Sequence, residues 1–394
     1  LSERRPRVAM VVQRCGLEVN GGAELACREV AREMSAVWDV TVVTTCARDY
    51  TTWKNHYEPG TDHIDAVKVL RFKVDEQRSP FFDNLCRDAL ARGSDYTQQE
   101  TDKWMRAQGP YSSSLLRYVE SHRDEYDLWI FYTYLYATTY FALPLVKERA
   151  VLVPFAHDEW PIHLPAFKDV FAMPQRIVFS TQEEREFLHR RFGPQLRGDV
   201  IGVGIDVPQD VRPERFKHRI GIDRPYALYV GRIDKAKRCD ELIQYFGRYQ
   251  EHYEDDLQLI MLGRREMELP SQPWLRPLGF VEEDAKYEAI AGAEMLIAPS
   301  PLESLSLVLL EAWSQERAVL VNGGSEVMVG QCRRSNGGLW YDDGDEFCAA
   351  LAELRDPQLA QALGRNGKAY LEANYTWPTI RAAYERLYDD VLRS

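Results

Sequence analysis

The 394-residue chain lacks the long apolar runs, the positive charge and the cysteine pairing that would assign it to several broad classes. No window holds 18 consecutive apolar residues, so a membrane-spanning helix is not expected. The N-terminal stretch LSERRPRVAMVVQ passes from charge straight into a strand-like run, without the apolar h-region and small-residue cleavage site of a secretory signal. Net charge is −12, which argues against nucleic acid as a main partner, because phosphate binding favours a basic surface. The charge is uneven: 26 Lys and Arg stand against 29 Asp and Glu in residues 1–200, and 23 against 32 thereafter. The near-neutral first half is therefore the half expected to meet a charged acceptor or a membrane surface. Cys15, Cys27, Cys46, Cys86, Cys239, Cys332 and Cys348 form no CxxC pair, and an odd count suits a disulfide framework poorly. Reduced, buried thiols in a cytoplasmic protein are expected, with membrane association at the inner face as a further expectation.

What the chain has is length for two domains and a composition, 45% hydrophobic and 28% charged, that suits soluble globular cores. Strand-like runs at Val8–Gln13, Val40–Thr45, Val67–Phe72, Leu128–Tyr132, Val151–Phe155, Ile177–Ser180 and Val200–Val203 are mostly apolar on both faces. Helical patterns such as Ala23–Ser35 lie between them, which predicts a parallel sheet covered on both sides. The pattern restarts with strands at Ala227–Val230, Leu257–Leu262, Met295–Ala298, Val319–Val321 and Leu339–Tyr341, and helices at Asp240–Tyr253, Glu283–Ala291 and Val308–Gln315. The expected fold is α/β, two tandem doubly wound, Rossmann-like domains. The first would span 1–207, with a charged insertion at about 74–125 and completion by a C-terminal helix at about 377–394. The second would span 208–376, and the Pro-rich segment Pro208–Pro225 reads as the linker.

Four segments carry candidate chemistry. In Ala298–Trp313 a strand end leads through a loop into a helix, with Glu303 in the loop and Glu311 as the one charge in the apolar run from Leu305. A carboxylate there is costly to bury without hydrogen bonds, which the vicinal hydroxyls of a ribose would supply. Glu303 could hold hydroxyls of a second sugar, while free N–H groups at Ser306, Leu307 and Val308 face a phosphate between them. The plainer alternative is that Glu303 caps the helix and Glu311 pairs with an Arg. The segment Tyr229–Arg238 offers Arg232 as a fork for phosphate oxygens and Lys237 as a point charge at a strand-to-helix turn. Gly21-Gly22 opens a helix after the first strand, and Phe155-Ala-His157-Asp158 ends another strand. Tyr134 and Tyr136 follow a strand end on the rim where open α/β sheets place ligands; they either contact an acceptor or pack in the core with their hydroxyls satisfied.

Together these segments resemble the retaining glycosyltransferases of the GT-B fold, glycosyltransferase family 4 (group 1). The resemblance covers roughly residues 7–73 and 127–390, and includes Gly-Ile-Asp206, Val-Gly-Arg232…Lys237 and Leu-Gly-Phe280-Val281. It continues through Glu303 and Glu311, Gly323-Gly324-Ser-Glu-Val, and Gly338-Leu-Trp-Tyr…Gly-Asp345. It implies two domains facing each other across a cleft. Arg232, Lys237, Gly22 and the helix start at Ser306–Val308 would bind the donor diphosphate, and Glu311 the ribose. Glu303 would hold the transferred hexose, and His157 would reach the reacting sugar near its primary hydroxyl. Phe280 and Val281 would face the base.

The implied reaction is hexosyl transfer from a nucleotide-sugar to a hydroxyl of a glycan or lipid-linked saccharide, without metal or other cofactor. Family frequency favours a UDP-sugar such as UDP-glucose, with GDP-mannose as the alternative donor. A GT-B-fold nucleotide-sugar epimerase and a non-catalytic binding protein of the same fold are the alternatives. Two departures stand out. The family's usual Glu-Gly-Phe-Gly-Leu is Glu303-Ser-Leu-Ser-Leu307 here, and the Gly that commonly follows the phosphate-binding Lys is Arg238. Serines cost little there if φ is negative, and alter donor geometry if it is positive.

Overall fold

A computed structural model describes residues 4–19 and 21–393. The chain divides into two compact units, the first running to Gly204 and including residues from Ile380 onward, the second spanning Ile205–Thr379. The expected outer limits at residues 1 and 394 lie outside the described residues.

The first unit is built on an eight-stranded sheet: β1 (Arg7–Val11), β2 (Asp39–Thr45), β3 (Gly60–Ile64), β4 (Val67–Phe72), β5 (Leu128–Tyr132), β6 (Ala150–Val153), β7 (Arg176–Phe179) and β8 (Gly198–Val200). The spatial order is β3-β4-β2-β1-β5-β6-β7-β8, parallel except where β3 pairs antiparallel with β4. Every residue of β5 and β6 is buried, which is why the sequence shows no alternation there. Chain order reverses between β1 and β5, and ligands of such sheets sit outside the strand C-termini at that reversal. The last helix, Trp377–Arg393, adds Tyr384 and Tyr388 against Trp38, and Arg381 bonds Glu33.

The segment from 74 to 125 forms three helices, Phe82–Arg92, Gln98–Gln108 and Ser113–Ser121. Thr97 and Glu100 make a reciprocal capping box at the start of the second. Despite its charge, this segment delivers Tyr96, Trp104 and Met105 to the core of the first unit.

The second unit holds β9 (Tyr226–Val230), β10 (Gln258–Leu262), β11 (Leu275–Gly279), β12 (Met295–Ala298), β13 (Ala318–Asn322) and β14 (Gly338–Tyr341). All are parallel, in the order β11-β10-β9-β12-β13-β14, so its reversal falls between β9 and β12.

Several expectations need correction. Pro208–Pro225 is not a free linker. It contains the helix Pro213–Ile220, started by Pro213 and ended by left-handed Gly221. Phe216 on that helix is buried, and Arg215 and Arg219 each lie 3.4 Å from Glu288 on the helix Glu283–Gly292. The strand expected at Val200–Val203 is instead Gly198–Val200. Strands β3 and β11 went unanticipated, because Gly-Thr-Asp-His-Ile is mostly exposed and Leu-Arg-Pro-Leu-Gly carries a proline at a sheet edge. All seven cysteines are free, six of them buried and Cys86 half-buried. Among the described residues no helix is long and apolar enough to cross a membrane.

Candidate functional site

The two loops that flank the reversal of the second sheet meet through side chains. The loop after β9 leaves the strand at Gly231, whose φ of +153° suits glycine, and Gly263 after β10 packs so closely that a Cβ there would stand 1.8 Å from the Gly231 carbonyl oxygen. Asp234 organises the rest of this loop. One of its carboxylate oxygens accepts from the Lys237 backbone N–H at 2.8 Å, and the other lies 2.7 Å from Arg232 Nε. Lys237 then reaches across to the loop after β12, where its Nζ lies 2.6 Å from Glu303 Oε1. Both side chains are partly exposed, so the pair is wetted and available to a ligand. Glu303 is thus not a helix cap.

The helix that follows is Leu307–Ser314. At its start the Leu309 N–H donates to the Ser306 carbonyl at 3.1 Å, so the N–H groups of Ser306, Leu307 and Val308 precede the intrahelical ladder. The polar end of this helix therefore sits directly beside the Lys237–Glu303 pair in sequence, and adds partial positive charge to two cations.

Glu311 lies one turn further in and is buried. The plainer expectation, pairing with an Arg, is wrong in identity: its partner is Lys286 of the helix Glu283–Gly292, whose Nζ lies 2.8 Å from Glu311 Oε1. Burial pushes the Glu311 carboxyl above its ordinary range, and Lys286 opposes that shift. Burial draws Lys286 down, but Glu311 and Glu283 beside it leave its ammonium held above the usual value. Phe280 and Val281 follow β11, at the edge of the same strand-end rim, with Phe280 68% exposed. The acidic run at Asp342–Asp345 serves the fold: Asp343 accepts from the N–H groups of Asp345 and Glu346 and caps the helix Gly344–Glu353.

Of the three residues that replace family glycines, Ser304, Ser306 and Arg238, the last two fall on left-handed backbone and Ser304 does not. Ser306 has φ +59° and Arg238 φ +55°, and each stands just ahead of a helix. The Ser306 side chain makes no capping bond to offset this conformation. Ser306→Gly should therefore raise stability by roughly 1 kcal/mol, read as a higher urea midpoint at unchanged slope. A lower midpoint would show that the hydroxyl contributes more than the strain removes.

In the first unit, His157 lies in the loop after β6, four residues past the strand end. Its Nε2 faces Glu159 Oε2 at 3.7 Å, and its Nδ1 is buried with no hydrogen-bond partner among the described residues. The other Glu159 oxygen accepts from the Tyr134 hydroxyl at 2.7 Å. Tyr134 is 1% exposed and packs on Phe167 and Phe171, so its ring is not placed to touch an acceptor. Tyr136 is half-buried with its ring edge-on to Trp53 at 5.2 Å, and burial pushes its phenol up to about 12. At the helix Gly22–Met34, a Cβ on Gly22 would meet nothing within 4 Å, whereas Gly21 is hemmed in by Glu24 and Arg14. That helix start already holds the buried Glu24 carboxylate, 2.5 Å from Arg14 Nε. Gly22 and His157 belong to the first unit; Arg232, Lys237, Glu303 and Glu311 belong to the second.

Four residues escaped the sequence reading. Asp234, Lys286 and Glu159 gave no pattern of their own, because their partners are set by folding. Glu184 left a trace, three residues after a capping threonine: Thr181 accepts from its N–H at 3.2 Å. Its carboxylate is buried and accepts from the N–H of Ala156 and of Ser180, each at 2.5 Å, tying the loop that carries His157 to the helix Gln182–Phe192. Phe155, just before, has φ +49°.

Two doubly wound, largely parallel sheets in tandem match the GT-B class of glycosyltransferase fold. Residues 224–356 match the family model described as Glycosyl transferases group 1. The chain is similar to a trehalose synthase of Rubrobacter xylanophilus, 25% identical over 193 residues, which are 44% of this chain and 45% of that protein. It thus spans about half the length of that relative. Among solved structures it is similar to a sucrose-phosphate synthase from Thermosynechococcus elongatus, with TM-score 0.73 and 16% identity over 99% of this chain and 100% of the other. It is also similar to Anabaena HepE, solved in complex with UDP and glucose, with TM-score 0.69 and 14% identity over 98% of this chain and 100% of the other.

Proposed function

We propose that the protein is a retaining glycosyltransferase that moves a hexose from a nucleoside diphosphate sugar, UDP-glucose or a close relative, to a hydroxyl of a glycan or lipid-linked saccharide. The observation that carries this reading is the Lys237–Glu303 pair, 2.6 Å across the reversal of the second sheet, with Arg232 in the same loop as Lys237 and the helix Leu307–Ser314 starting four residues after Glu303. A cation beside a carboxylate suits a phosphate next to a sugar hydroxyl. The UDP bound by HepE supports uridine as the first base to try.

In this reading Arg232, Lys237 and the N–H groups of Ser306–Val308 hold the diphosphate and take up the charge that develops as it leaves. Glu303 accepts from hexose hydroxyls, and Glu311 from those of the ribose. Phe280 and Val281 face the base, and His157 meets the hexose near its primary hydroxyl. The acceptor oxygen forms its bond to the anomeric carbon as the carbon–oxygen bond to the diphosphate breaks. The acceptor proton passes to the departing phosphate oxygen on the same face, so no enzyme nucleophile is required. Tyr134 serves this site through Glu159, not by contact with the acceptor.

Nucleotide release from UDP-, GDP-, ADP- and dTDP-sugars, without acceptor and with EDTA, tests the proposal. Slow hydrolysis of one donor, unaffected by EDTA, is the expected result. Conversion of a donor to its epimer would replace transfer by epimerisation, and absence of any nucleotide binding would end the reading.

A further inference from the structure

We propose that Lys286 is a positioning residue for nucleotide recognition, which makes this chain select ribonucleotides over 2′-deoxyribonucleotides by fixing the orientation and charge of Glu311. The inference rests on the reading of Glu311 as the ribose acceptor, and names a residue that reading does not use.

Glu311 is the one charge on the helix Leu307–Ser314, and the residues on either side of it, Leu310 and Ala312, are fully buried. A carboxylate in such surroundings, left alone, takes up a proton and becomes a hydroxyl donor with weaker acceptor oxygens. The groups around it oppose that outcome in a specific geometry. Lys286 Nζ sits between Glu311 Oε1 at 2.8 Å and Glu283 Oε1 at 2.7 Å, and 5.3 Å above the Tyr287 ring. Glu283 is largely exposed and keeps the ammonium charged without entering the pocket around Glu311. The Tyr287 hydroxyl is directed elsewhere, donating to the Asp206 carbonyl at 2.9 Å, so it does not compete for Glu311. With Oε1 engaged by the ammonium, Oε2 is the oxygen left to accept from a vicinal diol in this proposal. Charged acceptors bind hydroxyls more strongly than neutral ones, so the 2′-hydroxyl counts only while Glu311 stays ionised.

The test compares dissociation constants of UDP, GDP and ADP with their 2′-deoxy forms by calorimetry, for the native protein, Lys286→Met and Lys286→Arg. Methionine keeps most of the length of the apolar stem but removes the ammonium and its charge. The native protein should prefer the ribose form of its nucleotide by about tenfold or more. K286M should bring that ratio near one, weakening the ribose form while leaving the deoxy form within about twofold, and K286R should restore it. A ratio unchanged in K286M, or equal weakening of both forms, would overturn the role of Lys286 while leaving Glu311 as the ribose acceptor. A native protein that binds a nucleoside diphosphate with no ribose preference would overturn the assignment of Glu311, and this inference with it.

Discussion

Glu303→Gln should lower hexosyl transfer by at least about 100-fold while leaving the affinity for the free nucleoside diphosphate within about threefold. The asymmetry follows from position. Glu303 lies in the loop after β12 with its carboxylate 2.6 Å from Lys237 Nζ, and the proposed function gives it the hexose and not the diphosphate. Glutamine keeps the shape and one acceptor oxygen but loses the charge that the sugar hydroxyls and Lys237 share. The freed ammonium remains available to phosphate, so binding of free nucleotide does not fall with turnover. Steady-state kinetics with the identified donor, alongside calorimetry with the product nucleotide, separate the two quantities. Parallel loss of turnover and nucleotide affinity would show that Glu303 and Lys237 act as one binding unit and would remove the division of labour.

Stability should also depend on pH through a residue outside the donor site. The Glu184 carboxyl is raised to about 7, chiefly by burial, against the pull of the Ser180 and Ala156 N–H groups that bond it. A carboxyl that holds its proton more tightly when folded than when unfolded stabilises the fold at low pH. That contribution is fully present below about pH 4.5 and is lost as pH rises through about 7, a change on the order of 3 kcal/mol. Glu184→Gln carries no titrating group and should flatten this share of the profile. Urea unfolding of both proteins at pH 5 and pH 8 gives the comparison: the native protein should lose more stability than the variant between the two. Equal losses would show that the two N–H donors hold the group ionised throughout. Because Ala156 precedes His157, the same variant should disturb turnover more than nucleotide affinity.

Much of the scaffold was legible because parallel strands buried on both faces leave continuous apolar runs. Eleven of the strands in the two sheets coincide with runs such as Val67–Phe72 and Met295–Ala298, or differ from them by one or two residues at an end. The strands that escaped lie at sheet edges, where one flank needs no apolar side chains: β3 is nearly all exposed and β11 carries Pro277. The segment 208–225 was misjudged for a related reason. Its prolines and charges look like linker composition, yet Pro213 starts a helix and the arginines find Glu288 some 70 residues away in sequence.

The sequence by itself determined the alternation of elements, and hence which loops lie beyond strand C-termini. It offered Arg232, Lys237, Glu303 and Glu311 as polar groups at strand-to-helix turns, and their resemblance in order and spacing to GT-B glycosyltransferases, not apolar periodicity, made them site candidates. Only the tertiary structure decided their partners. Lys237 and Glu303 are 66 residues apart and Lys286 and Glu311 25 apart, and no local pattern encodes contacts made by adjacent strand ends and packed helices. It also decided that Tyr134 serves the core and Glu159, since burial depends on what packs over a ring and not on its neighbours in the chain. The left-handed backbone of Ser306 and Arg238 was settled in the same way, by the geometry each turn needs to enter its helix.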